Sequence, residues 1–175
     1  NQSSAALYQS QMSALVDVPR EQLEQAVQRI AGNWDTWGWS IGKNMYVYKP
    51  SGGRWAMIPW DIDFGLGLAP GDPPTSNLFT NESVAIANTS MADPLAIKFR
   101  NNVTFRREYW RAFSDAVKGP MLAANANARI DLIHNALLAQ GLNSTGIAAV
   151  KTYMADRRAY IVSQLATVAA AFTVA

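Results

Sequence analysis

Residues 32–67 read GNWDTWGWSIGKNMYVYKPSGGRWAMIPWDIDFGLG. They hold five of the chain's six tryptophans and, at 35, 61 and 63, three aspartates in an otherwise apolar, glycine-rich run. Carboxylates are seldom buried without a partner, because an uncompensated buried charge is expensive. Three compensations are open: a metal ion, backbone N–H groups, or solvent. The same stretch carries the chain's clearest β signal. MYVYK (45–49) alternates and RWAMIPW (54–60) is extended, with PSGG between them, which predicts a hairpin over about 45–60. Pro59 suits only an end or an edge of a sheet. If Lys49 faces Arg54, partner numbers sum to about 103, Asn44 lies near Pro59 and Gly42 near Asp61. The hairpin then returns the chain, so that Asn44 and the Asp61/Asp63 pair share one end.

On both sides of this stretch the period is helical. Residues 3–16 and 19–31 read as helices. In the second, Pro19 and Glu21 come early, Gly32 follows the end, and Leu23, Ala26, Val27 and Ile30 share one face. Residues 66–92 read as a long loop with at most a short helix. Asp93-Pro94 starts a helix as cap and first position. Residues 103–117 set Phe105, Tyr109, Trp110, Phe113 and Val117 on one face. Residues 121–140 do the same for Ile130, Ile133 and Leu137. Residues 144–171 align Ile147, Val150, Met154, Ile161, Leu165 and Val168. The fold class is α+β, predominantly α: one domain with a helical body and one small hairpin inserted early.

Bulk properties narrow the functions. At 175 residues the chain can bury a real core. A net charge of +2 without a Lys/Arg cluster leaves no nucleic-acid footprint. Absence of cysteine removes disulfide and thiolate-zinc chemistry, and the single His134 removes multi-histidine metal sites. His134, beside Ile133 and Leu137, reads as structural. Arg157 and Arg158 are expected to pair with Asp156 or its neighbours. ATVAAAFTVA at the C-terminus is too short to span a bilayer, and no signal peptide is legible. Asn-x-Ser/Thr at Asn81, Asn88, Asn102 and Asn143 is read as composition.

The order of chemical groups is more informative: Asp35, Asn44, a hairpin, then Asp61-Ile-Asp63-Phe-Gly. Hard divalent cations take carboxylate and amide oxygens together with phosphate and water. A third carboxylate nearby can orient or deprotonate a hydroxyl. Protein kinases use this layout: a catalytic-loop Asp, a metal-binding Asn, a short hairpin and the metal-binding Asp of D-F-G. D-F-G stands literally at 63–65, a weak signal by itself that the preceding order strengthens. As capping or turn residues, Asp35, Asp61 and Asp63 would need no such chemistry.

GNWD, N-x-Y-x-Y-K and RWAMIPWDIDFGLG together resemble the core of the spore-coat CotH kinase family, with its W-D-x-D signature ahead of F-G. DPLAIKFRNNVTFRREYWRAF and ADRRAYIVSQL are similar to that family's later helices, so the resemblance runs over about 20–166. It implies a helical body like a kinase C-terminal lobe and phosphate transfer from ATP, with Mg²⁺ or Mn²⁺, to Ser/Thr hydroxyls of a protein substrate. It implies an extracytoplasmic, secreted or coat- or surface-associated setting, with no nucleic acid and no membrane span. It makes Asp35 the catalytic acid and Asn44, Asp61 and Asp63 the metal and cofactor ligands, Asp61 matching the D-F-G Asp. One part of the kinase pattern is missing. Ahead of Asp35 stand two helix-like segments with no lysine and no Gly-rich loop, so a nucleotide-binding N-terminal lobe, a partner from the parent chain, is expected to lie elsewhere. The 175 residues alone are expected to have little transferase activity. Two rivals stand beside this reading: a non-catalytic assembly module, and a metal-dependent hydrolase or carbohydrate-binding module presenting Trp37 and Trp39.

Overall fold

The computed structural model describes residues 4–37, 44–67, 72–79 and 94–168. Among these are six helices: α1 (Ala5–Leu15), α2 (Val18–Ala31), α3 (Pro94–Asn101), α4 (Val103–Lys118), α5 (Ala123–Ala139) and α6 (Ile147–Val168). Two strands, β1 (Met45–Tyr48) and β2 (Ala56–Pro59), form an antiparallel hairpin between α2 and α3. The predominantly α, α+β class is thus as expected. No helix among the described residues is long and apolar enough to cross a membrane. Asn81, Asn88, Trp39, Asp93 and residues 169–175 lie outside the described residues.

The core follows from α4. Its Phe105, Tyr109, Trp110, Phe113 and Val117 are all buried, as their spacing predicts. Tyr109, Trp110, Phe113 and Val117 join Ala26 of α2, Ile161 of α6, and Leu78 and Met121 in one cluster. Phe105 joins Val18 and Phe99 in a second, closed by Tyr8, Met12 and Val16. The start of α4 is set by Asn102, whose side chain accepts from the N–H groups of Thr104 and Phe105. That use of the buried Asn102 as a cap accounts for one of the four Asn-x-Ser/Thr matches without any modification.

α2 contradicts its expected face. Leu23 and Val27 are 52% and 47% exposed, while Glu21, Gln22, Gln25, Gln28 and Arg29 are buried beside Ala26. The helix turns a polar face to the core, where Gln25 and Gln28 find partners. Gln25 donates to the Trp37 carbonyl and accepts from Arg100. Gln28 binds Glu24 and Asn33. A satisfied polar group is tolerated inside, and apolar surface left outside is ordinary. α5 also departs from expectation: Ile133 is exposed, and Ala126 is that helix's buried residue.

The hairpin is shorter than predicted and shifted by one residue. Tyr46 pairs with Ile58 and Tyr48 with Ala56, so Met45, not Asn44, stands opposite Pro59, and Asn44 lies opposite Trp60. The reason is the turn: Gly53 N–H donates to the Pro50 carbonyl with Gly52 at φ 70°, a four-residue turn needing a left-handed third position. The root of β2 is fastened to the α1–α2 linker, where Trp55 and residues 15–17 exchange backbone hydrogen bonds.

Candidate functional site

α2 ends in a Schellman motif, with Gly32 left-handed at φ 68°. Gly32 N–H donates to Arg29 and Asn33 N–H to Gln28. The next residues are thereby turned sharply into the body. Asn33 is fully buried and its Oδ1 accepts from the Asp35 N–H. Asp35 itself is buried. Asn44 donates through Nδ2 to both the Asp35 carbonyl, at 2.7 Å, and the Asp35 carboxylate, at 2.9 Å. Its amide oxygen is the atom this arrangement keeps for another partner.

The second acidic loop is brought to the same place by three contacts. Trp60 N–H donates to the Asn44 carbonyl at 3.0 Å, which seats Asp61 just past the hairpin mouth. Trp34, adjacent to Asp35, stacks on Phe64, adjacent to Asp63, at 5.4 Å between ring centroids. Leu66 N–H donates to the carbonyl of Ala31 at 2.6 Å. Asn44 and Asp61 both adopt left-handed backbone, at φ 56° and 53°. Asn and Asp tolerate that conformation better than other side chains, and such positions concentrate at functional sites.

The acids therefore divide by environment. Asp35 is sequestered and hydrogen-bonded; Asp61 and Asp63 are exposed. Among the described residues no group of three or more His, Cys, Asp or Glu side chains forms a ready cation cage. A hard cation that also binds phosphate needs only one or two carboxylates and keeps waters. Asp61, Asp63 and the Asn44 amide oxygen are oxygen donors of that kind, and by their chemistry they would suit Mg²⁺ or Mn²⁺.

The family model described as CotH kinase protein matches residues 1–159. The chain belongs to the CotH kinase family. No curated protein matches it significantly. The span matched to the CotH kinase family takes in Asp35, Asn44, Asp61 and Asp63 and extends the similarity to the first residue, ahead of where the motifs begin.

Several expectations for this CotH kinase-family chain are corrected. Trp37 is 5% exposed and cannot serve as an open sugar platform, whereas Trp60 is 59% exposed. Arg157 and Arg158 do not pair with acids nearby. Arg158 donates to the Val117 carbonyl. Arg157, fully buried, donates to the carbonyls of Arg29, Pro74 and Ser76. His134 bonds Ser144, in keeping with a structural role.

Sequence reasoning missed the support beneath the acidic loops. Arg157, the C-terminal turn of α2 and residues 72–79 are tied together by those carbonyl bonds and by Tyr109 Oη donating to the Leu78 carbonyl. Burial lowers the Arg29 guanidinium to about 9 and lowers Arg157 as well. Burial raises the Asp72 carboxyl, opposed by Arg29 and Arg157. The available signal was the run of polar α2 residues at helical spacing, which an apolar-face search passes over.

Proposed function

We propose that the chain contributes the acid and metal side of an ATP-dependent phosphoryl-transfer site acting on Ser/Thr hydroxyls of a protein. The observation that carries this is the Asn44 bridge: one amide holds Asp35 and sits across the hairpin mouth from the Asp61-x-Asp63 pair. Membership of the CotH kinase family supports it.

Asp35, held by Asn44 and by its own N–H bond to Asn33, would accept the hydroxyl proton and orient the nucleophile. Asp61 and Asp63, open to solvent, would hold the cation with the Asn44 amide oxygen. When bound, Mg²⁺ or Mn²⁺ neutralises the charge on the phosphate oxygens. Trp60 and Ile62, exposed on either side of Asp61, would keep water from the nucleotide side. The phosphate-covering loop and Lys–Glu pair that kinases use are not among the described elements, and the reading leaves them to another part of the parent protein. An extracytoplasmic, coat- or surface-associated setting belongs to the same proposal.

The test is transfer of labelled γ-phosphate from ATP to a Ser/Thr-rich acceptor by the parent protein. Asp35→Asn and Asp61→Ala should each lower the rate by about 10²-fold or more, while Asp115→Asn, an exposed α4 residue, should not. Equal rates in all four proteins would discard the assignment.

A further inference from the structure

A separate groove of about 750 Å³ runs between α4 and α6. None of Asp35, Asn44, Asp61 or Asp63 lines it. Its floor is apolar: Trp110 and Val117 from α4, Val162, Leu165 and Val168 from α6. Its rim is cationic. Arg107, Arg111 and Lys118 follow one another along α4 at intervals of four and seven, a single stripe at helical spacing, and Arg158 stands on α6. Glu108 is the lone acidic residue of the lining. Four cations face one anion there. Asp115 reaches Arg111 only at 3.8 Å with both side chains about three-quarters exposed, a pair that a ligand displaces at little cost. Arg158 is held across the gap by its bond to the Val117 carbonyl at 2.9 Å, which fixes the two walls relative to each other.

We propose that this groove docks an acidic amphipathic helix of a protein partner. Two packed helices with an apolar trough between them accept a third helix by its apolar face. Charge complementarity names its other face. From Arg107 to Lys118 the cations extend over about 16 Å of helix axis. A ligand with one anionic head satisfies one of them, whereas a helix carrying a carboxylate on each turn satisfies the stripe. Val162, Leu165 and Val168 lie beyond the residues matched by the family model. The α6 part of the floor therefore lies outside what the family match covers, while the α4 wall and Arg158 lie within it.

A labelled synthetic peptide of about 15 residues, with Leu at helical spacing and Glu elsewhere, is titrated into the full chain by fluorescence anisotropy. The same sequence with Lys for Glu is the control, and phosphatidylglycerol vesicles are a third arm. The Glu peptide should bind saturably and weaken with added salt, and the Lys peptide should not bind. The double variant Arg107→Glu/Arg111→Glu, both exposed, should lower affinity about tenfold or more with an unchanged circular dichroism spectrum. Val162→Asn, on the opposite wall, should do the same without altering the groove's charge. Equal binding of both peptides, or full affinity in both variants, would overturn the proposal. So would vesicle binding without peptide binding.

Discussion

At the scale of single residues, environment rather than identity separates the carboxylates. Asp35 is enclosed and held by an amide, while Asp61 and Asp63 face solvent. Glu21 is the extreme case. Burial pushes its carboxyl up to about 8 from an ordinary 4.5, against a hydrogen bond from Gln25 that favours the charged form. Its Oε2 has no protein partner. The folded chain thus keeps a proton that the unfolded chain releases. Stability from Glu21 is complete below the unfolded value, declines as pH rises, and is lost through about 8. Glu21→Gln should match wild type near pH 4 and exceed it at pH 9 by on the order of 3–5 kcal/mol. Urea midpoints across that range check it; parallel curves would mean that Glu21 does not titrate with folding.

At the scale of elements, the legible parts were those whose partners are local and apolar. α4 announces itself because aromatic residues repeat at helical spacing, and the hairpin because alternation surrounds a Pro/Gly turn. α2 was legible as a helix but not in its orientation. Leu23 and Val27 outweigh Gln22, Gln25 and Gln28 on any hydropathy reading, yet Gln25 and Gln28 have bonding partners beyond the helix, in Trp37 and Asn33. The register was missed by one because the pairing depends on where the tight turn closes, and residues 50–53 close it. The end of α2 carries the sharpest element-level prediction. A Cβ at Gly32 would collide with the Tyr153 hydroxyl, approach the Asp72 carbonyl to 3.0 Å and sit at a left-handed φ. Gly32→Ala should therefore cost about 2 kcal/mol or more, read as a fall in the denaturation midpoint. Asn102→Ala, which removes only a cap, should cost about 1 kcal/mol.

At the scale of the whole molecule, the acidic loops stand on a polar joint that no single element contains. Arg157 reaches from α6 to the end of α2 and to residues 74 and 76, over separations of 81 to 128 positions in sequence. Such long-range pairing of a cation with backbone carbonyls leaves no trace in periodicity, which is why local acids looked like its partners. Arg157→Met keeps the apolar stem, strands the Pro74 and Ser76 carbonyls and leaves the Arg29 carbonyl with the Gly32 N–H. It should cost about 3–5 kcal/mol, and limited proteolysis within 72–79 should accelerate before global unfolding. A loss confined to global stability, with that segment equally protected, would mean the joint is not what holds it.

The central claim is that Asp61, Asp63 and Asn44 form the cation side of a phosphoryl-transfer site. Calorimetric titration of the chain with Mn²⁺ alone and with Mg·ATP, beside Asp61→Ala, tests it most directly. Saturable binding to wild type that disappears in the variant is the predicted result. An unchanged isotherm in Asp61→Ala, or none in wild type, would contradict it.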